Sequence, residues 1–304
     1  MLERQTVQNI LDSAEIICAT STFNEDMLGD RWFDLAVIDE ACQSTEPGNW
    51  IPLMRCVRVV LAGDHQELPP TVLSEKAAVE GFRLSLMERV INLYGDEVTR
   101  LLDVQYRMHE QIMAFSSEQF YEGQLIGHES VREHLLCDLP GVEKTELTET
   151  PIQFIDSAGA NWDEELEPDG LSKRNPKEAE LILKKADALV AAGMNPKDIA
   201  IIAPYAAQAR MIRRQCKHRQ LEVDTVDGFQ GREKEAVLIT CVRSNSIGEI
   251  GFLSDARRMN VALTRARRKL IVIGDSATLG TNEFFSKLLD YFESVGGYTS
   301  VWTE

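Results

Sequence analysis

The sequence predicts an α/β fold with two parallel-sheet domains. Short apolar segments alternate with segments of helical periodicity, a pattern typical of parallel strands that are connected by helices. The alternation runs through the first third of the chain and restarts after residue 106. A length of 304 residues is sufficient for two such domains. We therefore predict one domain over residues 1–103 and a second over residues 104–304.

The first domain is predicted to contain three buried strands, because apolar runs occur at Glu15–Ala19, Phe33–Ile38 and Val57–Leu61. A segment with helical spacing follows at Leu84–Leu93. Glu97–Asp103 has the pattern of a further strand, which would close this domain.

The second domain is predicted to alternate strands and helices in the same way. One helix has clear boundaries, because Pro176 stands at its first position and Gly193 follows its last. Residues 138–175 form an acidic stretch with Pro and Gly around a single strand, which predicts a surface excursion. The predicted strands are Ile152–Ile155, Ile199–Ala203, Val223–Val226, Ala236–Cys241 and Leu270–Ile273, and the predicted helices are Pro176–Ala192, Gln208–His218 and Asp255 to about Arg267.

The charge of the chain is strongly negative but unevenly distributed. The formal net charge is −17 at pH 7, with 44% hydrophobic and 27% charged residues, as in a globular protein. Residues 138–169 contain ten acidic residues and one lysine, whereas residues 204–275 contain fourteen Lys and Arg and eight acidic residues. A protein that binds a polyanion needs a basic track on one face rather than a positive total. Nucleic acid is therefore not excluded as a partner, although an arginine-rich stretch is more commonly a solvated helix face.

The cysteines and the start of the sequence predict an intracellular protein without a membrane segment. Six cysteines are scattered and none forms a C-x-x-C pair, which is typical of reduced thiols inside a cell. No segment approaches about 18 consecutive apolar residues, the length that a membrane span needs. The first residues lack the basic and apolar regions of a signal peptide. The five histidines lack the spacing of zinc ligands.

Two acidic residues follow directly after the predicted strand Phe33–Ile38. Asp39 and Glu40 would lie at the carboxyl end of that strand, where open α/β sheets bind their ligands. In a nucleotide hydrolase the first acid of such a pair holds Mg²⁺, and the second orients or deprotonates the attacking water. An ordinary loop can carry the same pair, so the pair alone leaves both interpretations open.

The next predicted strand, Val57–Leu61, ends in the motif Ala62-Gly-Asp-His-Gln-Glu-Leu-Pro-Pro70. The glycine allows a tight turn, and the polar groups behind it would lie beside the acids of the neighbouring strand. An ordinary turn after a strand is the alternative interpretation.

Three further motifs occur in the second domain. Gln105-Tyr-Arg-Met-His109 opens it, and Thr225-Val-Asp-Gly-Phe-Gln-Gly-Arg-Glu233 follows a later predicted strand. The segment from Arg257 to Arg268 has the pattern of a helix. Within it, Arg258 and Arg265 are seven residues apart and would lie on the same side. An arginine that reaches a phosphate from a second domain acts as an arginine finger.

In their order, these motifs resemble the later motifs of Upf-type superfamily-one helicases over almost the whole chain. Within that group the sequence most resembles the immunoglobulin mu-binding protein helicases, and the likeness extends to connecting segments such as Leu84–Arg89, Asp138–Val142 and Val242–Asn245. The resemblance implies a helicase core of the P-loop NTPase type, with two RecA-like domains, ATP between them and a single strand of DNA or RNA across their tops. It also implies that ATP hydrolysis is coupled to movement along that strand.

The resemblance assigns roles to particular residues. Asp39 would hold the magnesium ion that accompanies ATP, Glu40 would activate water, and Arg107 and Arg265 would reach the γ-phosphate as arginine fingers. The implied nucleotide-binding positions are Asp64, Gln66, Glu67, Gln230, Gly231 and Glu233. The implied nucleic-acid-binding positions are Thr20, Pro69, Tyr205 and Thr225.

The sequence departs from the family pattern at three points. No G-x-x-x-x-G-K-[ST] segment occurs, although that loop supplies the backbone N–H groups and the lysine that hold the β- and γ-phosphates. The chain is therefore expected to be a C-terminal portion of a motor with an incomplete first domain, and a missing N-terminal half with that loop could be its partner. Glu67 stands where the family has glutamine, and Ala203 where it usually has Thr or Ser. A carboxylate near the γ-phosphate would be repelled unless it is protonated or turned away.

Two other functions are alternatives to the helicase. A non-catalytic module that binds nucleic acid or a partner protein would also explain the missing phosphate loop. An unrelated dinucleotide-dependent enzyme would need a G-x-G-x-x-G segment after an early strand, and the sequence has none. The sequence does not separate DNA from RNA, since both are bound mainly through phosphates and stacked bases.

Overall fold

The computed structural model describes residues 2–168 and 170–303. The predicted α/β fold class is confirmed, since parallel strands alternate with helices along the chain. The chain divides into two compact units, one up to Leu101 and the other from Leu102 onwards. Among the described helices, none has the length and apolar character that crossing a membrane requires.

The first unit contains a small parallel sheet of two strands. They pair in register from Phe33 opposite Cys56 to Ile38 opposite Leu61, and a helix connects them as parallel pairing requires. The helix predicted at Leu84–Leu93 is confirmed, with slightly shifted bounds. The elements of this unit are α1 (Leu2–Ser13), β1 (Phe33–Ile38), α2 (Glu46–Leu53), β2 (Cys56–Leu61), α3 (Glu75–Ala77) and α4 (Leu86–Tyr94).

Two strands predicted for the first unit are wrong. Glu15–Ala19 forms no strand, and Ile16 within it is 83% exposed. Glu97–Asp103 begins at the last residue of a short helical turn and forms no strand. Leu102 within it is exposed as well. An apolar run becomes a strand only where a neighbour satisfies its backbone N–H and C=O groups. Neither segment has such a neighbour in the part of the chain that the structure describes.

The second unit is built around a parallel sheet with the strand order β12-β5-β11-β10-β8-β9, six strands among the described residues. All five strands predicted for this domain are confirmed, together with the helices predicted at Pro176–Ala192 and Gln208–His218. The strands are β3 (Val104–Gln105), β4 (Ile126–Gly127), β5 (Ile152–Asp156), β6 (Glu165–Leu166), β7 (Lys173–Arg174), β8 (Ile199–Ala203), β9 (Glu222–Thr225), β10 (Lys234–Thr240), β11 (Ala266–Gly274) and β12 (Tyr298–Ser300). The helices are α5 (Glu110–Phe120), α6 (Glu146–Glu149), α7 (Pro176–Ala191), α8 (Ala206–Gln215), α9 (Ala256–Leu263), α10 (Ser276–Leu279) and α11 (Glu283–Ser294).

Successive residues of these strands point to opposite faces of the sheet, as the pleat requires. Ile155 belongs to a buried cluster that the sheet forms with α7 and α8, and Ile182 and Ile212 of those helices belong to it too. Phe154, one residue earlier, packs instead against Phe292 of α11, with ring centroids 5.7 Å apart. Helices therefore pack against both faces of this sheet.

The last predicted helix ends earlier than expected. Helix α9 stops at Leu263 instead of running to about Arg267, and β11 already begins at Ala266. Thr264 closes the helix, since its N–H and its hydroxyl both donate to the carbonyl of Asn260. The residues beyond pair with β10, and this sheet pairing outweighs the modest preference of the same residues for a helix.

Candidate functional site

The two acids that would serve magnesium and water lie at the carboxyl end of β1. Ile38 closes the strand and is buried, whereas Asp39 and Glu40 after it are exposed. A carboxylate oxygen of Asp39 accepts the backbone N–H of Glu40 at 3.0 Å. Glu40 has a φ of 52°, a left-handed conformation that is uncommon for a residue with a side chain and is concentrated at functional turns. The chain thus turns sharply after β1 with both acids at its surface.

The loop after β2 lies directly against the loop after β1. The N–H of Ala41 donates to the carbonyl of Ala62 at 2.8 Å, so the contact of the two chains continues past the strands. Glycine is favoured at position 63, because its φ is 152° and a Cβ there would lie only 3.1 Å from both the Ala41 nitrogen and Cys42 Sγ. The N–H of Asp64 donates to Cys42 Sγ at 3.2 Å. Asp64 is therefore held at the same edge of the sheet as the acid pair.

Cys42 lies buried between the acids of these two loops. Burial raises the pKa of its thiol to about 11, and the negative charges of Glu40, Asp64 and Glu67 act in the same direction. The N–H of Asp64 opposes this shift by donating to the sulfur. The structure thus brings these three predicted carboxylates together around one thiol.

The other predicted residues of the first unit lie in the β2 loop or apart from it. The N–H of Gln66 donates to the Asp64 carboxylate at 2.8 Å, and the N–H of Glu67 donates to the Asp64 carbonyl at 3.2 Å. These bonds make the loop a compact turn, and Pro69 follows it at a half-buried position. Thr20 is exposed in the segment between α1 and β1.

In the second unit, two predicted arginines meet at the amino end of the six-stranded sheet. Arg107 donates from Nε to the carboxylate of Glu233, the residue before β10, and from Nη1 to the carbonyl of Thr264 at 3.2 Å. The buried Arg265 donates from Nη2 to the hydroxyl of Thr264 at 3.0 Å, and from Nε to the carbonyl of Val261 at 3.0 Å. We call Arg107, Glu233, Thr264 and Arg265 the amino-edge cluster.

Gln230 and Gly231 lie in the loop that returns from β9 to the amino end of β10. Arg232 in this loop forms an ion pair with Glu222 at the start of β9, which places the loop at the amino edge. Gly231 has a φ of 74°, and Gln230 Nε2 is buried without a hydrogen-bond partner in the described residues. A buried donor without an acceptor costs about 1–3 kcal/mol. The amide of Gln230 is therefore a candidate for contact with a ligand.

The nucleic-acid residues predicted for the second unit lie at the opposite edge of the sheet. Tyr205 follows β8 and Thr225 ends β9, and both line a pocket of about 300 Å³. Tyr205 is only 5% exposed, and its hydroxyl accepts Nη1 of Arg243 at 3.1 Å. The hydroxyl of Thr225 accepts the N–H of Gly228 at 3.3 Å. We call this the carboxyl-edge pocket; its other lining residues are Ser172, Pro204, Ala206, Asp227, Phe252 and Arg258.

A buried ion pair beside this pocket was missed by the sequence analysis. Arg243 is 1% exposed and donates from Nε to Glu164 at 2.6 Å, and Glu164 also pairs with Lys173. Burial alone would raise the pKa of Glu164, but the two cations outweigh it and lower that pKa. The pair joins residues 79 positions apart, which no local pattern reveals.

A second buried acid, Glu178, lies in the first turn of α7. It is fully buried and accepts the hydroxyl of Thr240 at 2.5 Å and the N–H of Val242 at 2.9 Å. Burial raises the pKa of Glu178 to about 8, although these two hydrogen bonds act in the opposite direction. Val242 has a φ of 68°, a strained conformation for a β-branched residue. The carboxyl of Glu178 therefore holds a strained turn directly before Arg243.

Helix α9 runs between the two edges of the sheet. Arg258 in its first half pairs with Asp227 at 3.0 Å and lines the carboxyl-edge pocket. Arg265 lies beyond its last residue, Leu263, in the amino-edge cluster. The prediction that both arginines lie on the same side of one helix is therefore wrong, because the helix ends between them.

A model described as an AAA domain matches residues 82–277, and a second with the same description matches residues 1–75. The chain is 48% identical over 301 residues to DNA-binding protein SMUBP-2 of Mus musculus, which covers 97% of this chain and 30% of that protein. It is 42% identical over 301 residues to DNA polymerase alpha-associated DNA helicase A of Schizosaccharomyces pombe, with 96% and 45% coverage. A regulator of nonsense transcripts 1 homolog of Neurospora crassa is 39% identical over 303 residues, with 96% and 27% coverage.

The chain spans less than half of the length of each of these relatives. The first family model nevertheless matches more than half of the chain, and the relatives align with almost all of it. The chain therefore belongs to the AAA domain family, and its relatives place it among the Upf-type superfamily-one helicases.

Proposed function

We propose that the chain is part of an ATP-dependent helicase motor that moves on single-stranded DNA or RNA. One observation carries the proposal: the two groups of predicted residues in the second unit occupy opposite edges of one sheet. Arg107 and Arg265 lie in the amino-edge cluster, whereas Tyr205 and Thr225 line the carboxyl-edge pocket. With this division, one edge could respond to the nucleotide while the other holds the strand.

For the nucleotide, we assign Asp39 to the magnesium ion that accompanies ATP and Glu40 to the attacking water. In the described part of the chain, no three or more His, Cys, Asp or Glu side chains are grouped so that they could hold a metal ion. This fits Mg²⁺, which is usually held by one or two carboxylates together with phosphate oxygens and water. When bound, the ion neutralises charge on the phosphates. Asp64, Gln66 and Glu67 lie in the adjacent loop and are assigned to the same phosphate end.

For the second unit, we assign Arg107 and Arg265 to the γ-phosphate. A guanidinium group stays protonated and can bind two phosphate oxygens at once, which suits this task. The partners of both arginines in the amino-edge cluster hold them in place before a ligand binds. Gln230 and Gly231 are assigned to the phosphates, which would supply an acceptor for the buried amide of Gln230. Glu233 is assigned to the ribose.

For the strand, we assign Thr20 and Pro69 of the first unit and Tyr205 and Thr225 of the second. Residues 1–103 would then form part of a first RecA-like domain, and residues 104–304 the second. The 304 residues contain no G-x-x-x-x-G-K-[ST] segment, so another chain segment would supply the phosphate loop. All six cysteines are free thiols, which supports an intracellular location.

Titration of the 304-residue chain with labelled single strands tests the binding half of this proposal. Fluorescence anisotropy should rise with a single strand of DNA or RNA, and the affinity should fall as salt increases, because phosphate contacts release counterions. A duplex of the same length serves as the control. Failure to bind either single strand at low salt would overturn the proposal. Hydrolysis is tested in a longer protein with the phosphate loop, where Glu40→Gln should abolish strand-stimulated ATP turnover.

A non-catalytic strand-binding module is the second candidate, and the missing phosphate loop favours it. The two candidates differ in their response to nucleotide. In a motor, ATP changes the affinity for the single strand, whereas a passive module binds the strand equally well with or without ATP. The comparison requires the longer protein with the phosphate loop, with ADP and an unhydrolysed ATP analogue as the two nucleotide states.

A further inference from the structure

We infer that the carboxyl-edge pocket receives one nucleobase of the single strand, with Phe252 as its stacking platform. The inference rests on the proposed function and adds to it a residue that contacts the bases rather than the phosphates. Phe252 belongs to none of the sequence motifs described above, and its place in the pocket becomes apparent only in the fold.

Phe252 is an aromatic side chain that the fold leaves open to solvent. It lies in the short helical turn Gly251–Ser254 and is 63% exposed. Its ring centroid is 5.6 Å from that of the buried Tyr205, and the guanidinium carbon of Arg258 lies 5.9 Å from it. Proteins that bind single strands stack bases on such rings, and a nearby arginine adds a cation–π contribution.

A buried network fixes the position of this ring. Tyr205, the neighbour of Phe252, accepts Nη1 of Arg243 at 3.1 Å, and Arg243 is in turn paired with Glu164 at 2.6 Å. The backbone of Gly251 packs closely against Arg243 and Tyr205, since a Cβ at this position would collide with Arg243 Nη1 and lie 2.7 Å from the Tyr205 hydroxyl. The backbone before Phe252 is therefore held in place by its contact with the buried Arg243–Glu164 ion pair. A ring that is both exposed and positioned loses little entropy when a base stacks on it.

The charges in the pocket favour a base over a phosphate. Arg258 is already paired with Asp227 at 3.0 Å, and both residues line the pocket. A phosphate that entered the pocket would meet the carboxylate of Asp227 and an arginine that is already neutralised. A nucleobase carries no charge, and it can place its face on Phe252 and its polar edge toward Thr225. The volume of about 300 Å³ lies at the lower limit for ligand pockets and suits one flat ring system.

Anisotropy titrations of the 304-residue chain test the inference with two labelled strands of equal length. One strand carries a base at every position, and the other is abasic in its central positions and so keeps the phosphates. Phe252→Ala should raise the Kd for the first strand roughly tenfold or more and leave the Kd for the abasic strand unchanged. Phe252→Trp should bind the base-bearing strand as the parent chain does, because tryptophan also stacks. Phe252→Leu keeps the apolar bulk without a ring and should bind that strand as weakly as Phe252→Ala. Trp302→Ala removes a 72% exposed aromatic that follows β12, the outermost strand on the side of the sheet away from β8 and β9, and is the matched control.

Three results would overturn the inference. The first is an unchanged Kd of Phe252→Ala for the base-bearing strand. The second is an equal loss on both strands, because that would show a disturbed pocket and not a lost base contact. The third is full binding by Phe252→Leu, since an aliphatic side chain cannot stack. If the unchanged chain binds neither strand at low salt, the proposed function itself fails, and this outcome differs from the other three.

Discussion

Arg107 donates from Nε to the carboxylate of Glu233, although 126 residues separate the two in the sequence. The same guanidinium reaches the carbonyl of Thr264, whose hydroxyl accepts a bond from Arg265. Residues from the start, middle and end of the second unit are thus joined in one small cluster. Its guanidinium groups are positioned by the fold before any ligand binds. Stabilising the charge of a transition state depends on such preorganised groups.

Replacing Arg265 is expected to impair hydrolysis and not strand binding. In a longer protein with the phosphate loop, Arg265→Ala should lower kcat by ~10³ or more, the scale of an arginine finger. Arg265→Lys should recover little of this loss, because an ammonium group lacks the planar fork. Steady-state ATP hydrolysis with saturating single strand measures the effect, and strand affinity without nucleotide should stay unchanged.

The control for this prediction is Arg214→Ala, which removes an exposed arginine from the last turn of α8. Its kcat should equal that of the parent. Because Arg265 is buried, the melting temperature of each variant must also be compared. A folded Arg265→Ala variant with unaltered kcat would contradict the assignment.

Glu67 is expected to slow hydrolysis, because it places a carboxylate where the resembled family pattern has the neutral amide of glutamine. In the longer protein, Glu67→Gln should raise kcat, since glutamine can bond to the water or the γ-phosphate without repulsion. Glu75→Gln changes an exposed glutamate of α3 in the same way and serves as the control. An unchanged or lower kcat for Glu67→Gln would show that this side chain does not face the phosphate.

The buried Glu178 is expected to make the stability of the second unit depend on pH. Burial raises its pKa in the folded chain to about 8, well above the ordinary value of 4.5 for a glutamate. The folded state therefore holds a proton that the unfolded state loses, so the stabilisation is complete below about 4.5 and is lost as pH rises toward 8. The free energy of unfolding should fall by at most about 1.4 kcal/mol per pH unit across this window.

Glu178→Gln should remove this component, because an amide carries no titrating proton. Urea unfolding at several pH values between 5 and 8.5 would measure the difference between parent and variant. Glu180→Gln alters an exposed residue two positions further along α7 and should leave the slope unchanged. Parallel pH profiles for the parent and Glu178→Gln would contradict the prediction.

Cys42 is expected to resist alkylation in the folded chain. Its thiol is buried, and burial raises its pKa to about 11, so little reactive thiolate is present at pH 8. Cys18 is exposed and should be modified first by iodoacetamide, as mass spectrometry of the resulting peptides would show. In guanidinium chloride the two should react alike. Equal reactivity in the native chain would mean that the loops around Cys42 do not pack as described.

The elements that the sequence predicts correctly are determined by their own residues and not by distant contacts. The run Ile199–Ala203 is uniformly apolar and is buried on both faces, so its own composition identifies β8. Pro176 likewise marks the start of α7 within a few residues of sequence. By contrast, the local pattern around Arg265 predicts a helix. The sheet pairing of the following residues with β10 decides otherwise, and that partner lies about thirty residues earlier in the chain.

The candidate site shows the same division between local and distant causes. Asp39 and Asp64 could be found from sequence, because each directly follows a recognisable strand. Phe252 could not, because its neighbours Tyr205 and Arg243 follow two other strands, β8 and β10, and come together only in the fold. The strand predicted at Glu15–Ala19 is wrong because the local pattern is apolar but no strand pairs with this segment in the described chain.

Helix α9 connects the carboxyl-edge pocket of the second unit to its amino-edge cluster. It has eight residues and is therefore about 12 Å long, with Arg258 in its first turn and Thr264 immediately behind its last. Because a helix this short moves as one body, a displacement of Arg258 at the carboxyl-edge pocket would displace Thr264 in the amino-edge cluster by the same amount. The last five residues of α9 are all buried, and close packing around them limits how far the helix can move. Any coupling between the phosphate site and the strand site of this unit would then pass through a helix of little more than two turns.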